Sequence, residues 1–328
     1  MTITYWVMRL LPNRMAFSDY GAAGVADSCG KVVWHSGVVR QFAHLSLPSP
    51  ISGMDDSDAR LETAWQLAHS AGFFLLEDRP SDLTILTKSS ASDLVSAMDK
   101  GAEQLIVDAI REHFPLDGIL GEEGTNVEPQ NGIRWIIDPL DGTVNYLFGL
   151  PVWGVSIAVE IDGEVRFGVI AVPPQGEVFV GVKGKGAFAC AFGVEESAST
   201  IMKKLAVRNT ADLSQALVMT GFGYSPQRRT KQARLVQSLI SHIADVRRGG
   251  AAVVDFCWLA SGFSDAYYEY GLNPWDYAAG VLIATEAGAI VGGLDSDDYS
   301  QFMIAATPDL FNELKDKLQN MGAHEIFD

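Results

Sequence analysis

Trp135-Ile136-Ile137-Asp138-Pro139-Leu140-Asp141-Gly142-Thr143-Val144-Asn145-Tyr146 is the stretch on which the reading of this chain turns. The apolar run Trp135 to Ile137 predicts a short buried strand that delivers Asp138 to its end. Pro139 cannot extend a strand ladder, and Gly142 lets the backbone approach a ligand closely, so Asp138 and Asp141 leave a sheet edge together. Leu140 offers a carbonyl oxygen between them, and carboxylate, carbonyl and water oxygens are the donors that Mg²⁺ accepts. Thr143 is expected to open a short helix through Asn145 and Tyr146, whose first amides suit a phosphate. Alone, an Asp-Gly pair is more often a turn or a cap. The neighbourhood decides between the two.

Upstream, Gly121-Glu122-Glu123-Gly124 places Glu122 after the short apolar run 118–121, 16 residues before Asp138. Acidic residues at converging strand ends call for a counter-ion. Downstream, Asn273-Pro274-Trp275-Asp276 puts another carboxylate in the first turn of a predicted helix, where by itself it is a favourable N-terminal charge. Farther out, Ser57 or Asp58 can cap a helix with apolar positions from Leu61 to Leu76, and a second helix is expected from near Ser96 to Pro115. Strands are predicted at 152–161, 164–172 and 176–182, the first two joined at Asp162-Gly163, which reads as an antiparallel meander. Helices are predicted at about 226–246, 250–262, 274–287 and 308–321, three with Pro at the first helical position after Ser225, Asn273 or Thr307, and a strand at 265–270. The order of elements indicates an α+β layered fold.

Composition narrows the function. The 328 residues are 48% hydrophobic and 20% charged, which excludes large-scale disorder, and the net charge of −17 argues against nucleic acid and anionic membranes as partners. Three widely spaced cysteines, Cys29, Cys190 and Cys257, suggest neither a disulfide framework nor a thiolate zinc site, and a cytoplasmic setting is expected. Residues 1–53 differ from the rest. They carry Arg9, Arg14, Lys31 and Arg40 against Asp19 and Asp27 and show no sustained period, so they are expected to be a poorly ordered extension, with Met54 as an alternative start.

Taken together, GEE at 121–123, WIIDPLDGTVNY at 135–146 and NPWDYAAG at 273–280 resemble the inositol monophosphatase family of Mg²⁺-dependent, lithium-sensitive phosphatases. The similarity runs from about Thr63 to Leu318, and KSSASDLVSAMD at 88–99 and DVRRGGAAVVDFCWLASGFSDAYYE at 245–269 look most like its bacterial SuhB-type branch. The resemblance implies an αβαβα sandwich over residues 54–328, with an antiparallel-sheet half at about 54–190 and an α/β half at about 191–328. It implies two or three Mg²⁺ ions, a first held by Glu122, Asp138 and the Leu140 carbonyl, a second by Asp138, Asp141 and Asp276. It also implies that Thr143, supported by Asp99, acts with Glu122 on the attacking water. Gly142 and Thr143 would give amides to the phosphate, Ala252 and Glu269 would line a polyol pocket, and Lys88 would lie on a mobile loop. Family members are commonly homodimers.

The implied reaction is release of phosphate from inositol 1-phosphate by an activated water, with fructose 1,6-bisphosphate and nucleotide or histidinol phosphates as substrates of relatives. A different class of function, a protein partner of the transcription machinery, is implied by some SuhB-type relatives. Other features have plainer readings. Lys183-Gly184-Lys185-Gly186 lacks a following Ser or Thr and reads as a hairpin turn. Arg228, Arg229, Lys231 and Arg234 read as a solvated helix face, and Cys190 and Cys257 as core thiols.

Overall fold

The computed structural model describes residues 59–77, 79, 88–193 and 202–326, and the expectations for residues 1–53, Met54, Cys29 and the Ser57 or Asp58 cap lie outside them. Helix α1 spans Ala59–Glu77 and α2 Lys88–His113. Strands β1 (Gly118–Gly121), β2 (Asn126–Val127) and β3 (Ile133–Asp141) lead into the short helix α3 (Thr143–Phe148). The meander then runs through β4 (Gly154–Ile161), β5 (Glu164–Val172), β6 (Glu177–Val182) and β7 (Gly186–Ala191) to β8 (Lys203–Lys204). After β9 (Leu217–Thr220) come α4 (Pro226–Leu239), β10 (Asp245–Arg247), α5 (Ala252–Ala260) and β11 (Ala266–Tyr270). The chain continues through α6 (Pro274–Glu286), β12 (Ile290–Gly293), β13 (Phe302–Ala306) and α7 (Pro308–Asn320).

Two sheets result, ordered β2-β1-β3-β4-β5-β6-β7-β8 and β10-β9-β11-β13-β12. Helices α1 and α2 pack on one face of the first sheet, α5 and α6 lie between the sheets, and α4 and α7 pack together beyond the second. The layering is the α+β sandwich expected. Strand side chains alternate between layers: Phe167, Val169 and Ala171 of β5 face the α1 and α2 core, while Ile170 and Val172 face α5 and α6. With both faces covered, such strands read as continuous apolar runs. Helix α6 comes close to the sheet because Gly168 and Gly181 have no side chain. A Cβ there would stand 2.9 Å from the Ala279 Cα and 3.1 Å from the Ile283 Cα.

Several local expectations hold. Asp162 and Gly163 take φ of 52° and 82°, the left-handed pair that a two-residue hairpin favours. The turn at 183–186 joins β6 to β7, and its Gly184 and Gly186 amides donate to Glu286 at 2.7 and 2.8 Å, so its anion is a side chain of the protein itself. Cys190 and Cys257 are buried. Others change. Helix α2 begins at Lys88, not near Ser96. Helix α4 stops at Leu239, and Asp245–Arg247 forms a strand parallel to β9. Strand β1 pairs parallel to β3, so the first sheet is mixed. The Thr307 hydroxyl does not cap α7 but donates to the Thr210 carbonyl at 3.1 Å.

Candidate active site

Strand β3 pairs regularly with β4 as far as Asp138 opposite Ser156, and its register shifts before Asp141 meets Gly154. Pro139 has no amide to continue the ladder, so the strand bulges there. The Leu140 amide turns back to donate to Asp138 Oδ1 at 3.0 Å, and the Thr143 hydroxyl donates to the Leu140 carbonyl at 3.1 Å. Gly142 caps α3 at φ 88°, where a Cβ would also press within 2.8 Å of the Val152 carbonyl oxygen. Two bonds tie this turn to the start of α5. Asn145 Nδ2 donates to the Gly249 carbonyl at 3.0 Å, and the Val253 amide donates to Asp141 Oδ2 at 2.8 Å.

The other acids arrive from separate elements. Parallel pairing sets Gly121 beside Ile137, so the next residues, Glu122 and Asp138, meet with their carboxyl groups side by side. Asp276 sits at the third position of α6 and accepts the Asn273 amide at 2.6 Å in a capping box. Glu122, Leu140, Asp141, Gly142, Thr143 and Asp276 line one cavity of about 510 Å³, with Ala252 and Glu269 on its wall. Asp138 is buried, with 1% of its surface exposed. Among the described residues no trio of acidic, His or Cys side chains is already closed into a ligand shell. The acids share a cavity without forming a preformed cage.

Electrostatics give that cavity its character. Burial first, then the charges of Glu122, Asp141 and Asp276, push the Asp138 carboxyl well above the ordinary range. Burial and Asp276 do the same to Asp141, against the opposing Val253 hydrogen bond. Desolvation raises Glu122 to about 7 and Asp276 to about 6. Carboxylates crowded in this way bind protons or cations, and an oxygen-only donor set fits a hard divalent ion. The residues present therefore suit Mg²⁺.

Two predicted neighbours behave differently. Asp99 is buried and its Oδ1 has no hydrogen-bond partner among the described residues, while burial followed by the charge of Glu122 raises its carboxyl to about 9. It is not bonded to Thr143, whose hydroxyl is engaged by Leu140, the carbonyl three residues back. Lys88 opens helix α2 instead of lying on a loop, and its side chain is outside the described residues. Glu269 Oε2 accepts the Tyr267 hydroxyl at 2.6 Å, and burial lifts Glu269 to about 7.

Sequence reasoning missed several residues around the cavity. Glu103, a turn beyond Asp99 on α2, accepts the amides of Glu123 and Thr125 at 2.8 and 3.1 Å and the Thr125 hydroxyl at 2.6 Å. It thereby pins the loop that carries Glu122. The spacing Asp99 to Glu103, one helical turn, was the available signal. Asp255, Arg228 and Arg248 also reach the cavity.

The chain is also similar to known proteins. Residues 56–322 match the profile of the Inositol monophosphatase family. The chain is 35% identical over 289 residues to the Inositol-1-monophosphatase SuhB of Mycobacterium tuberculosis, covering 83% of this chain and 97% of that protein. It is 36% identical over 266 residues to the Nus factor SuhB of Pasteurella multocida, covering 79% and 95%. The solved structure of Mycobacterium tuberculosis SuhB superposes with a TM-score of 0.68 at 35% identity, over 80% of this chain and 96% of that one.

Proposed function

Because the chain belongs to the inositol monophosphatase family and is on that ground a phosphatase, we propose that it releases phosphate from a polyol monophosphate, inositol 1-phosphate foremost, with Mg²⁺. The observation that carries this reading is that Glu122, from the end of β1, Asp141, from β3, and Asp276, from α6, line one cavity, with buried Asp138 of β3 against them. Glu122, Asp138, Asp141, Asp276 and the Leu140 carbonyl would hold two ions, with a third, weaker one at Glu122. When bound, Mg²⁺ offsets the charge of a dianionic ester, polarises its phosphoryl group and acidifies water.

The protein's own groups do the rest. The Thr143 hydrogen is engaged by Leu140, so its oxygen is left to accept a hydrogen bond from the attacking water and orient it. Glu122, at the cavity edge, takes the proton that the water loses, and Asp99 acts behind the site. The opening amides of α3, at Gly142 and Thr143, have no intrahelical acceptor and steady the phosphoryl oxygens. Glu269 accepts hydrogen bonds from substrate hydroxyls, which favours a polyol over a nucleotide, and Ala252 leaves room beside it. Among the described residues no helix is long and apolar enough to cross a membrane. A homodimer and a cytoplasmic setting complete the reading.

The test is phosphate release from a panel of esters with Mg²⁺, with and without Li⁺. Inositol 1-phosphate should be turned over and Li⁺ should inhibit; strong preference for adenosine 3′,5′-bisphosphate overturns the assignment. The name Nus factor SuhB, borne by the Pasteurella relative, supports a second reading as a partner of the transcription machinery. Pull-down with an Asp138→Asn variant separates them: capture that survives loss of turnover supports the second reading.

A further inference from the structure

The four basic residues at the start of α4 do not form one solvated face. Arg229 and Arg234 are exposed, but Arg228 is half-buried and turned toward the cavity. Its guanidinium lies 4.8 Å over the Tyr270 ring. Its stem passes so close to Gly223 that a Cβ there would stand 2.7 Å from Cδ, and one on Gly271 would stand 3.0 Å from Nη1. One helical turn on, Gln232 accepts the Gly223 amide at 3.0 Å, which fixes the loop under the arginine. Beyond the ring contact, the Arg228 guanidinium has no hydrogen bond or ion pair among the described residues, its backbone amide alone donating to the Ser225 hydroxyl at 3.4 Å.

Arg248 lines the same cavity from the segment before α5, close against Gly250, and its charge acts on Glu269 and Asp255. It too has no ion pair within bonding distance among the described residues. A cavity lined by Glu122, Asp141 and Asp276 thus carries two guanidinium groups on its wall. A guanidinium that is sterically held, stacked and left without an anion is prepared to take one, in the forked geometry that carboxylates and phosphates share.

We propose that Arg228 and Arg248 form a second anion subsite at the wall of this cavity, for phosphate esters that carry another phosphate or carboxylate group away from the scissile one. The proposal rests on the phosphatase reading and narrows its substrate class. Arg228 is the anchor, because packing has already restricted its side chain. Arg248 supplies the second charge.

The experiment compares inositol 1-phosphate, a polyol bisphosphate and a phosphoglycerate as substrates of the full chain with Mg²⁺, in wild type and in Arg228→Met, Arg228→Lys and Arg248→Met. Methionine keeps the apolar stem and removes the charge. Arg229→Met, one residue away and exposed, is the control. In Arg228→Met, KM for the doubly anionic esters should rise at least tenfold more than KM for inositol 1-phosphate, with kcat little affected, and Arg228→Lys should recover only part. Loss on the bisphosphate alone assigns the subsite to phosphate; loss on both assigns it to anions generally. Equal changes on all three esters, or none, overturn the proposal. If wild type releases phosphate from none of them, the phosphatase reading fails by itself. The shift in unfolding temperature caused by each doubly anionic ester, compared between wild type and Arg228→Met, still decides the subsite.

Discussion

Replacing Gly221 with alanine tests whether Glu269 stands where the cavity wall requires it. A Cβ on Gly221 would overlap both carboxylate oxygens and the Cδ of Glu269. Backbone cannot yield easily there, since the Gly221 carbonyl already accepts from Gln232 Nε2 at 3.4 Å. The carboxylate must swing away, which breaks its 2.6 Å bond from the Tyr267 hydroxyl. A hydrogen bond to a charged group is worth about 1.5–3 kcal/mol, and forcing atoms into a packed site costs about 1–3 kcal/mol. The two overlap, so Gly221→Ala should lose roughly 2–4 kcal/mol of stability in urea unfolding. Its KM for inositol 1-phosphate should rise about tenfold, the equivalent of one lost hydrogen bond near 1.4 kcal/mol. A double-mutant cycle isolates the cause: with Glu269→Ala already in place, adding Gly221→Ala should cost much less than in wild type. If Gly221→Ala alone is as stable as wild type with unchanged KM, Glu269 is not held as described.

Further outcomes follow from other parts of the structure. Asp138→Asn should abolish phosphate release and weaken Mg²⁺ binding by calorimetry, and an active variant refutes the site. Glu103→Ala leaves two amides and the Thr125 hydroxyl without their acceptor, a loss of about 1–3 kcal/mol. It should also raise the Mg²⁺ concentration needed for half-maximal activity, and an unaltered Mg²⁺ response shows that the Glu122 loop does not depend on it. His69 is buried against Trp65 and Phe192, and burial holds its imidazole down to about 4 despite the Trp65 carbonyl hydrogen bond. The unfolded chain takes up a proton near pH 6.5 that the native state refuses until about 4. Stability is therefore complete above pH 6.5 and falls by up to roughly 3 kcal/mol as pH drops to 4. His69→Gln should flatten that slope in pH-dependent unfolding; an identical slope removes His69 as its source.

Much of this architecture was legible because its elements announce themselves. The Pro-first helices α4, α6 and α7 begin at the prolines that predict them, and the Asp162-Gly163 turn needs its two left-handed residues. Strands β9, β12 and β13 were missed. All three are short, and β9 and β13 are largely buried with apolar residues on both faces, as in Phe302–Ala306, so no alternation separates them from helix. The acids of the site stood out as motifs with residues in fixed order. Arg228 did not, because a basic residue at a helix start looks solvated until the loop at Gly223 and the Tyr270 ring are seen to enclose it. Glu103 was hidden for a similar reason: its partners are backbone amides, which carry no letter in a sequence.

The bond between the Val253 amide and Asp141 Oδ2 joins two facts that are otherwise separate. One oxygen of Asp141 accepts the α5 amide, and in the proposed function the carboxylate also takes an ion. Seating and ion loading would then be coupled, each changing the other by the same factor. A lesion that only tilts α5, remote from every acid, would surface as poor ion affinity, and an excess of the ion would repair the tilt.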